Sequence, residues 1–189
     1  MPDTKKTMTG NEIKALQAEI NFPSYEIEVN IKNRSWNKLA PDAENICKKA
    51  CAAALDILGV HSHISLAEVS IMLAGDKELK ELNNKFLNKN KPTNVLSFPA
   101  QKFLPGEINS FHSSKRLTLG DIALSLETIK KEAKEQKKTL REHLSHMVIH
   151  ATLHLLGYDH EKKGEAEIME ALEIRTLSNL GIANPYSGQ

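Results

Sequence analysis

A chain of 189 residues with 24 acidic and 25 basic side chains has a formal net charge of +1. That excludes a uniformly basic nucleic-acid binder, so any contact with phosphate has to come from a local patch. The length suits a core that needs no staples, no apolar run is long enough to span a bilayer, and the opening MPDTKKTMTGNE lacks the apolar stretch of a secretion signal, so a cytoplasmic location with no membrane association is expected.

Residues 1–22 are polar and read as a flexible N-terminal extension, with residues 23–189 as a single domain. Alternation over Tyr25–Ile31 predicts a half-buried strand. Pro41 and Asp42 open a helix to about Leu58, which Gly59 stops. Cys47 and Cys51 lie one turn apart on it, with Cβ atoms about 5–6 Å apart. A disulfide wants about 3.5–4.5 Å, so the pair reads as small buried hydrophobes. A second strand covers about Ile64 to Leu73, and Asp76 is expected to cap a short helix through about Phe86. The polar turn from Asn88 to Pro92 leads to a short strand, Val95–Phe98, closed by Pro99. Residues 100–117 show no periodicity and read as a long surface loop. Leu117–Ser125 gives a fourth strand, followed by helices over about Leu126–Lys138, Leu140–Leu156 and Lys162–Leu180. The pattern is an α+β domain: a mixed sheet of about four strands packed with about five helices.

The penultimate helix carries the chemistry. In REHLSHMVIHATLHLLGYDH, His150 and His154 are four apart and project from one helix face, as two imidazoles sharing a metal require. Gly157 can end the helix in a left-handed turn that brings His160 back to the same point. Three imidazoles leave a fourth position open, the arrangement of a catalytic zinc, one per chain, rather than of a closed structural one. Leu144, Val148, Ala151 and Leu155 form a separate core face, so the histidines are surplus to packing. His143 and His146 extend the stripe backward, either as partners behind the ligands or as cleft lining, although ordinary polar roles at a helix start fit equally.

The spacing H-x3-H-x2-G-x2-H is that of the metzincin zinc peptidases, except that Ala151 stands where those carry the glutamate general base. Alanine cannot take a proton, which disfavours peptide hydrolysis by that route.

HATLHLLGYDH resembles the signature of the YbeY family of bacterial rRNA maturation factors. KPTNVLSFP (91–99) and LGDIAL (119–124) resemble that family's two other hallmark stretches, in the same order, and the likeness covers about residues 24–186. The resemblance implies a zincin-like fold with the metal site on the long penultimate helix, and a metal-dependent endoribonuclease specific for single strands. It implies His150, His154 and His160 as the metal ligands. It also implies action on an rRNA precursor, in 16S 3′-end processing and small-subunit quality control, with the small ribosomal subunit and its assembly proteins as partners. An arginine of the family credited with catalysis or phosphate binding falls, by register, on Leu87, a departure from the pattern.

For an RNA substrate, Lys85, Lys89, Lys91, Lys115 and Arg116 are candidate phosphate contacts, against the alternative of solvated surface charges. Asp159 could orient a liganding histidine or make a local turn hydrogen bond. Asp121 could reach the cleft or serve a turn. The sequence names no general base. Two other readings stay open: a ribosome-assembly factor with weak or no nuclease activity, to which Leu87 gives weight, and a peptidase-like zinc hydrolase, against which Ala151 counts.

Overall fold

A computed structural model describes residues 24–60, 64–110 and 113–187; the expected extension over residues 1–22 lies outside them. Four strands, β1 (Ser24–Ile31), β2 (Ile64–Ala74), β3 (Val95–Pro99) and β4 (Ser113–Ser125), form one sheet in the order β1-β2-β4-β3. β1 pairs with β2 and β2 with β4 in parallel, while β3 runs antiparallel to β4 at the edge. Parallel neighbours cannot be joined by a tight turn, and helices supply the crossovers. Between β1 and β2 these are α1 (Ser35–Leu39) and α2 (Ala43–Ile57).

Alternation decides which face is covered. Along β2, Ala67, Val69, Ile71 and Leu73 are buried against α2 and the C-terminal helices, α5 (Leu140–Leu155) and α6 (Lys163–Asn179). Among the described residues, the other face carries α3 (Asp76–Leu87), which closes a small cluster of Ala74, Leu79, Leu96 and Ala123. α4 (Leu126–Glu135) leads from β4 to α5. The mixed four-stranded α+β sheet is thus as the sequence predicts, with six α-helices among the described residues instead of about five.

The differences have local causes. α1 has five residues, too few to show a period, yet its Trp36 is fully buried and its indole N–H donates to the Ala74 carbonyl at 2.9 Å. Gly75, not Asp76, is the N-cap of α3. Asp76 lies in the first turn, where its carboxylate accepts from the hydroxyls of Ser125 (2.5 Å) and Thr128 (2.6 Å), tying α3 to α4. β4 starts at Ser113, four residues before the apolar alternation, because pairing with β2 recruits polar residues that carry no pattern of their own. The stretch expected to be irregular also contains a 3-10 turn, Glu107–Ser110, with Phe103 and Ile108 buried. Cys47 and Cys51 are free and buried, and burial pushes both thiols up. Among the described residues, no helix is long and apolar enough to cross a membrane.

Candidate metal centre

α5 begins with a capping box, in which the Thr139 hydroxyl accepts from the Glu142 N–H at 3.2 Å and Glu142 accepts from the Thr139 N–H at 2.8 Å. The helix is buried nearly all round: Met147, Val148, Ile149, Ala151, Leu153 and Leu155 are inside. His150 and His154 emerge one turn apart where the helix passes the edge strand β3. The chain then turns at Gly157, with φ +85°, and a Cβ there would stand 2.0 Å from the Phe103 carbonyl oxygen. Only glycine permits both this dihedral and this approach. The turn returns His160, whose ring centroid lies 5.3 Å from that of His150 and 5.1 Å from that of His154.

One nitrogen of each of the three imidazoles lies within 4.8 Å of the others, and Nε2 of His150 and of His154 are 3.2 Å apart. Two nitrogens bound at about 2.0–2.1 Å to one tetrahedral ion would be about 3.4 Å apart. The residues present therefore fit a metal ion.

Behind His150 sits Glu173 of α6, 1 % exposed. One carboxylate oxygen accepts from His150 Nδ1–H at 2.7 Å. The other accepts from His146 Nε2–H at 3.2 Å and from the Tyr186 hydroxyl. Burial alone would push this carboxyl up; hydrogen bonds from His146, His150 and Tyr186 overcome that and hold it down at about 2. An ionised acceptor fixes the proton of His150 on Nδ1 and leaves the Nε2 lone pair facing the cluster. Burial first, and then the neighbouring imidazoles of His150 and His160, lower His154 to about 4, so near neutral pH it presents an unprotonated imidazole. Metal binding needs that form.

The cluster opens on a cavity of about 410 Å³. His150, Ala151, His154 and His160 form one side; Val95, Leu96 and Ser97 of β3, with Thr93 and Asn94, form the other; Asn83, Leu87, Lys89 and Lys91 close the end. Of the basic side chains marked in the sequence, Lys89 and Lys91 line this cavity and Lys85 does not; its ammonium lies 5.2 Å from the Phe86 ring. Arg116 is engaged by Glu26 (2.5 Å) and Glu68 (2.8 Å) across the sheet, and the Lys115 side chain lies outside the described residues. Asp121 is exposed in a separate groove with Lys32, Met72 and Phe98. Asp159 accepts from the His160 N–H at 2.8 Å, a local turn bond. His146 shares Glu173 with His150, whereas His143 turns away to Glu132 of α4 at 2.8 Å.

Sequence reasoning missed Glu173, Tyr186, Glu132 and Asn94. Glu173 left a signal: it interrupts the buried stripe Met169, Thr176 and Leu177 at helical spacing, and a lone carboxylate on a core face demands partners. The other three left no pattern, because their partners are distant in the chain.

The model of a protein family described as Endoribonuclease YbeY matches residues 30–181. A Bradyrhizobium diazoefficiens protein named Endoribonuclease YbeY is 43 % identical over 160 residues, 85 % of this chain and 84 % of the relative. A Francisella tularensis subsp. novicida protein of the same name is 46 % identical over 138 residues, 71 % of this chain and 81 % of the relative. A solution structure of a Thermotoga maritima protein, 22 % identical, overlays with a TM-score of 0.47 over 82 % of this chain and 91 % of that one.

Proposed function

The chain belongs to the YbeY endoribonuclease family, and from that premise we propose that it is a zinc-dependent endoribonuclease cleaving single-stranded RNA, with His150, His154 and His160 as the ligands of one zinc ion. The observation that carries the reading is the pair of imidazole nitrogens 3.2 Å apart, with His160 beside them and a buried carboxylate fixing His150 from behind. Three neutral imidazoles suit zinc. Its place in the cell, on this reading, is the cytoplasm, and its role is 16S rRNA 3′-end maturation and small-subunit quality control, alongside the small subunit and its assembly proteins.

When bound, the ion supplies Lewis acidity, acidifying a water and polarising a phosphate oxygen. The chain supplies position and charge. Glu173 keeps the His150 ring in one tautomer and orientation. Lys89 and Lys91 stand at the end of the cavity, where ammonium groups draw in the phosphates flanking the scissile one. Val95, Leu96 and Ser97 of β3 line the same cavity as the three histidines, and on this reading a single strand of RNA lies along them. Ala151 lines the floor without a proton acceptor, which separates this site from that of the peptidases with the same ligand spacing.

The test is metal content by mass spectrometry, together with cleavage of single-stranded RNA, for the native protein and a His150→Ala/His154→Ala variant. About one zinc per chain is expected, lost together with cleavage in the variant. No metal, even after zinc is supplied, would overturn the reading.

One observation favours a second reading. Leu87, half exposed at the end of the cavity, puts an apolar side chain where the family pattern has an arginine. Tight binding to small subunits with no cleavage, and cleavage gained on Leu87→Arg, would mark an assembly factor with a weak active site.

A further inference from the structure

Glu173 has two histidines to hold, and the third group on it comes from beyond the last helix. Tyr186 donates its hydroxyl to the oxygen that also accepts from His146. Its ring stands edge-on to His146, with centroids 5.6 Å apart and planes at 87°. The backbone that carries it is itself pinned. The Tyr186 N–H donates to the Asn184 side chain at 2.9 Å, the Ser187 hydroxyl to the Asn184 carbonyl at 2.8 Å, and the Lys138 ammonium to the Pro185 carbonyl at 2.8 Å. Tyr186 is absent from the lining of the metal cavity, so it meets neither substrate nor ion.

We infer that Tyr186 is a positioning residue for His150, acting through Glu173, so that the segment 184–187 is a working part of the metal centre and sets how firmly the ion is held. The inference rests on His150 being a ligand. A buried carboxylate with acceptor sites to spare takes its orientation from the donors around it. With the Tyr186 hydroxyl in place, one oxygen is committed to Tyr186 and His146 and the other is left aimed at His150 Nδ1. Without it, the carboxylate is free to rotate toward His146, and the ring of His150 loses its fixed direction.

Tyr186→Phe removes the hydroxyl and keeps the ring against His146. In full-length protein loaded with cobalt(II), the visible absorption of the ion is expected to change in position and intensity. Transfer of zinc to a chromogenic chelator is expected to be about tenfold faster than from the native protein. Melting of the metal-free protein is expected to fall by a few degrees, the loss of one hydrogen bond to a buried carboxylate. Lys138→Gln, which loosens the clasp on Pro185 without touching Glu173, should accelerate zinc transfer in the same direction by a smaller factor, and it carries the test alone if Tyr186→Phe does not fold. A native cobalt spectrum and a native transfer rate in the folded Tyr186→Phe variant, or in Lys138→Gln standing in for it, would overturn the inference. Native protein holding no more metal than His154→Ala would overturn the metal assignment, and the inference with it.

Discussion

Two histidines seven residues apart on α5 are built alike and end differently. His143 meets Glu132 of α4 at 2.8 Å, and His150 meets Glu173 of α6 at 2.7 Å; each is a ring nitrogen on a carboxylate from a neighbouring helix. At His143 the other nitrogen, Nδ1, is buried with no hydrogen-bond partner among the described residues, and the side chain is 1 % exposed. At His150 the other nitrogen, Nε2, looks across 3.2 Å to His154, and the side chain is 23 % exposed beside the cavity. The carboxylate does the same thing in both places, fixing a tautomer and a ring direction. What the second nitrogen meets sets the two apart: His143 is a brace, and His150, on the proposed reading, a ligand. The brace also reaches the far side of the cleft. Glu132 accepts from Asn94 Nδ2 at 3.1 Å, while Asn94 accepts from the Val95 N–H at 2.7 Å and takes the Ser125 N–H on its carbonyl at 2.8 Å. One pair thus orients the site, and the other holds the opposite wall of the cleft in place.

The sharpest way to break this contrast is to remove a ligand. His154→Ala should abolish stoichiometric zinc binding and lower RNA cleavage by more than about 100-fold, beyond what loss of a partner behind a ligand costs. Metal analysis and cleavage by the same preparation check it. Next in size, Glu173→Gln should weaken zinc binding by about 10–100-fold, measured by competition with a chelator of known affinity. An unchanged affinity would mean that the two carboxylates are both merely braces. On the open side, Lys89→Ala/Lys91→Ala should raise KM several-fold with less change in kcat, and should flatten the salt dependence by about 0.7 in log–log slope per lysine for single-stranded RNA. The closed pair predicts the reverse signature. Glu132→Gln should cost about 1–3 kcal/mol of stability in denaturant titration while zinc binding stays within about twofold. A large loss of zinc there would erase the distinction.

The smallest effect is a pH dependence. In the metal-free protein, His154 takes its proton at about 4 instead of the usual 6.5. Between those values only the unfolded chain is protonated at this residue, so stability falls as pH drops from about 6.5 to about 4 and levels off below. Glu173, held at about 2, contributes stability above its usual 4.5 that is lost only as pH falls from there toward 2. Melting temperatures of the metal-free protein across this range should decline by a few degrees in the upper window. The slope should shrink in His154→Ala.

The clustering of the three histidines was legible because they are local. His150, His154, Gly157 and His160 lie within one helix end and its turn, where fixed spacing becomes fixed geometry. The strands were legible where one face packs on the core, as in the half-buried Ile27, Val29 and Ile31, and faded where pairing alone recruits residues, as at Ser113. The braces were not legible. His143 and Glu132 are eleven apart in the sequence, and Asn94 is 38 from Glu132; only the packing of α4, α5 and β3 brings them together. The resemblance sets Leu87 where an arginine is expected, but the same register says nothing of which cations face the cavity. Lys89 and Lys91 do so, and Lys85, only four residues before Lys89, does not. The left-handed Asn88 that ends α3, at φ 56°, sends the chain in a new direction between them.

Glu173 and Tyr186 follow the ligands in the chain, and that order has a consequence for how the protein is born. Synthesis runs from the N-terminus, so His150, His154 and His160 leave the ribosome before the residues that aim His150. On the proposed reading, a nascent chain that meets metal before residue 173 is made does so with His150 not yet held by Glu173, and its grip on the ion is weaker. On that reading the site reaches its full grip once Glu173 and Tyr186 have joined His150, and an ion bound earlier exchanges more readily.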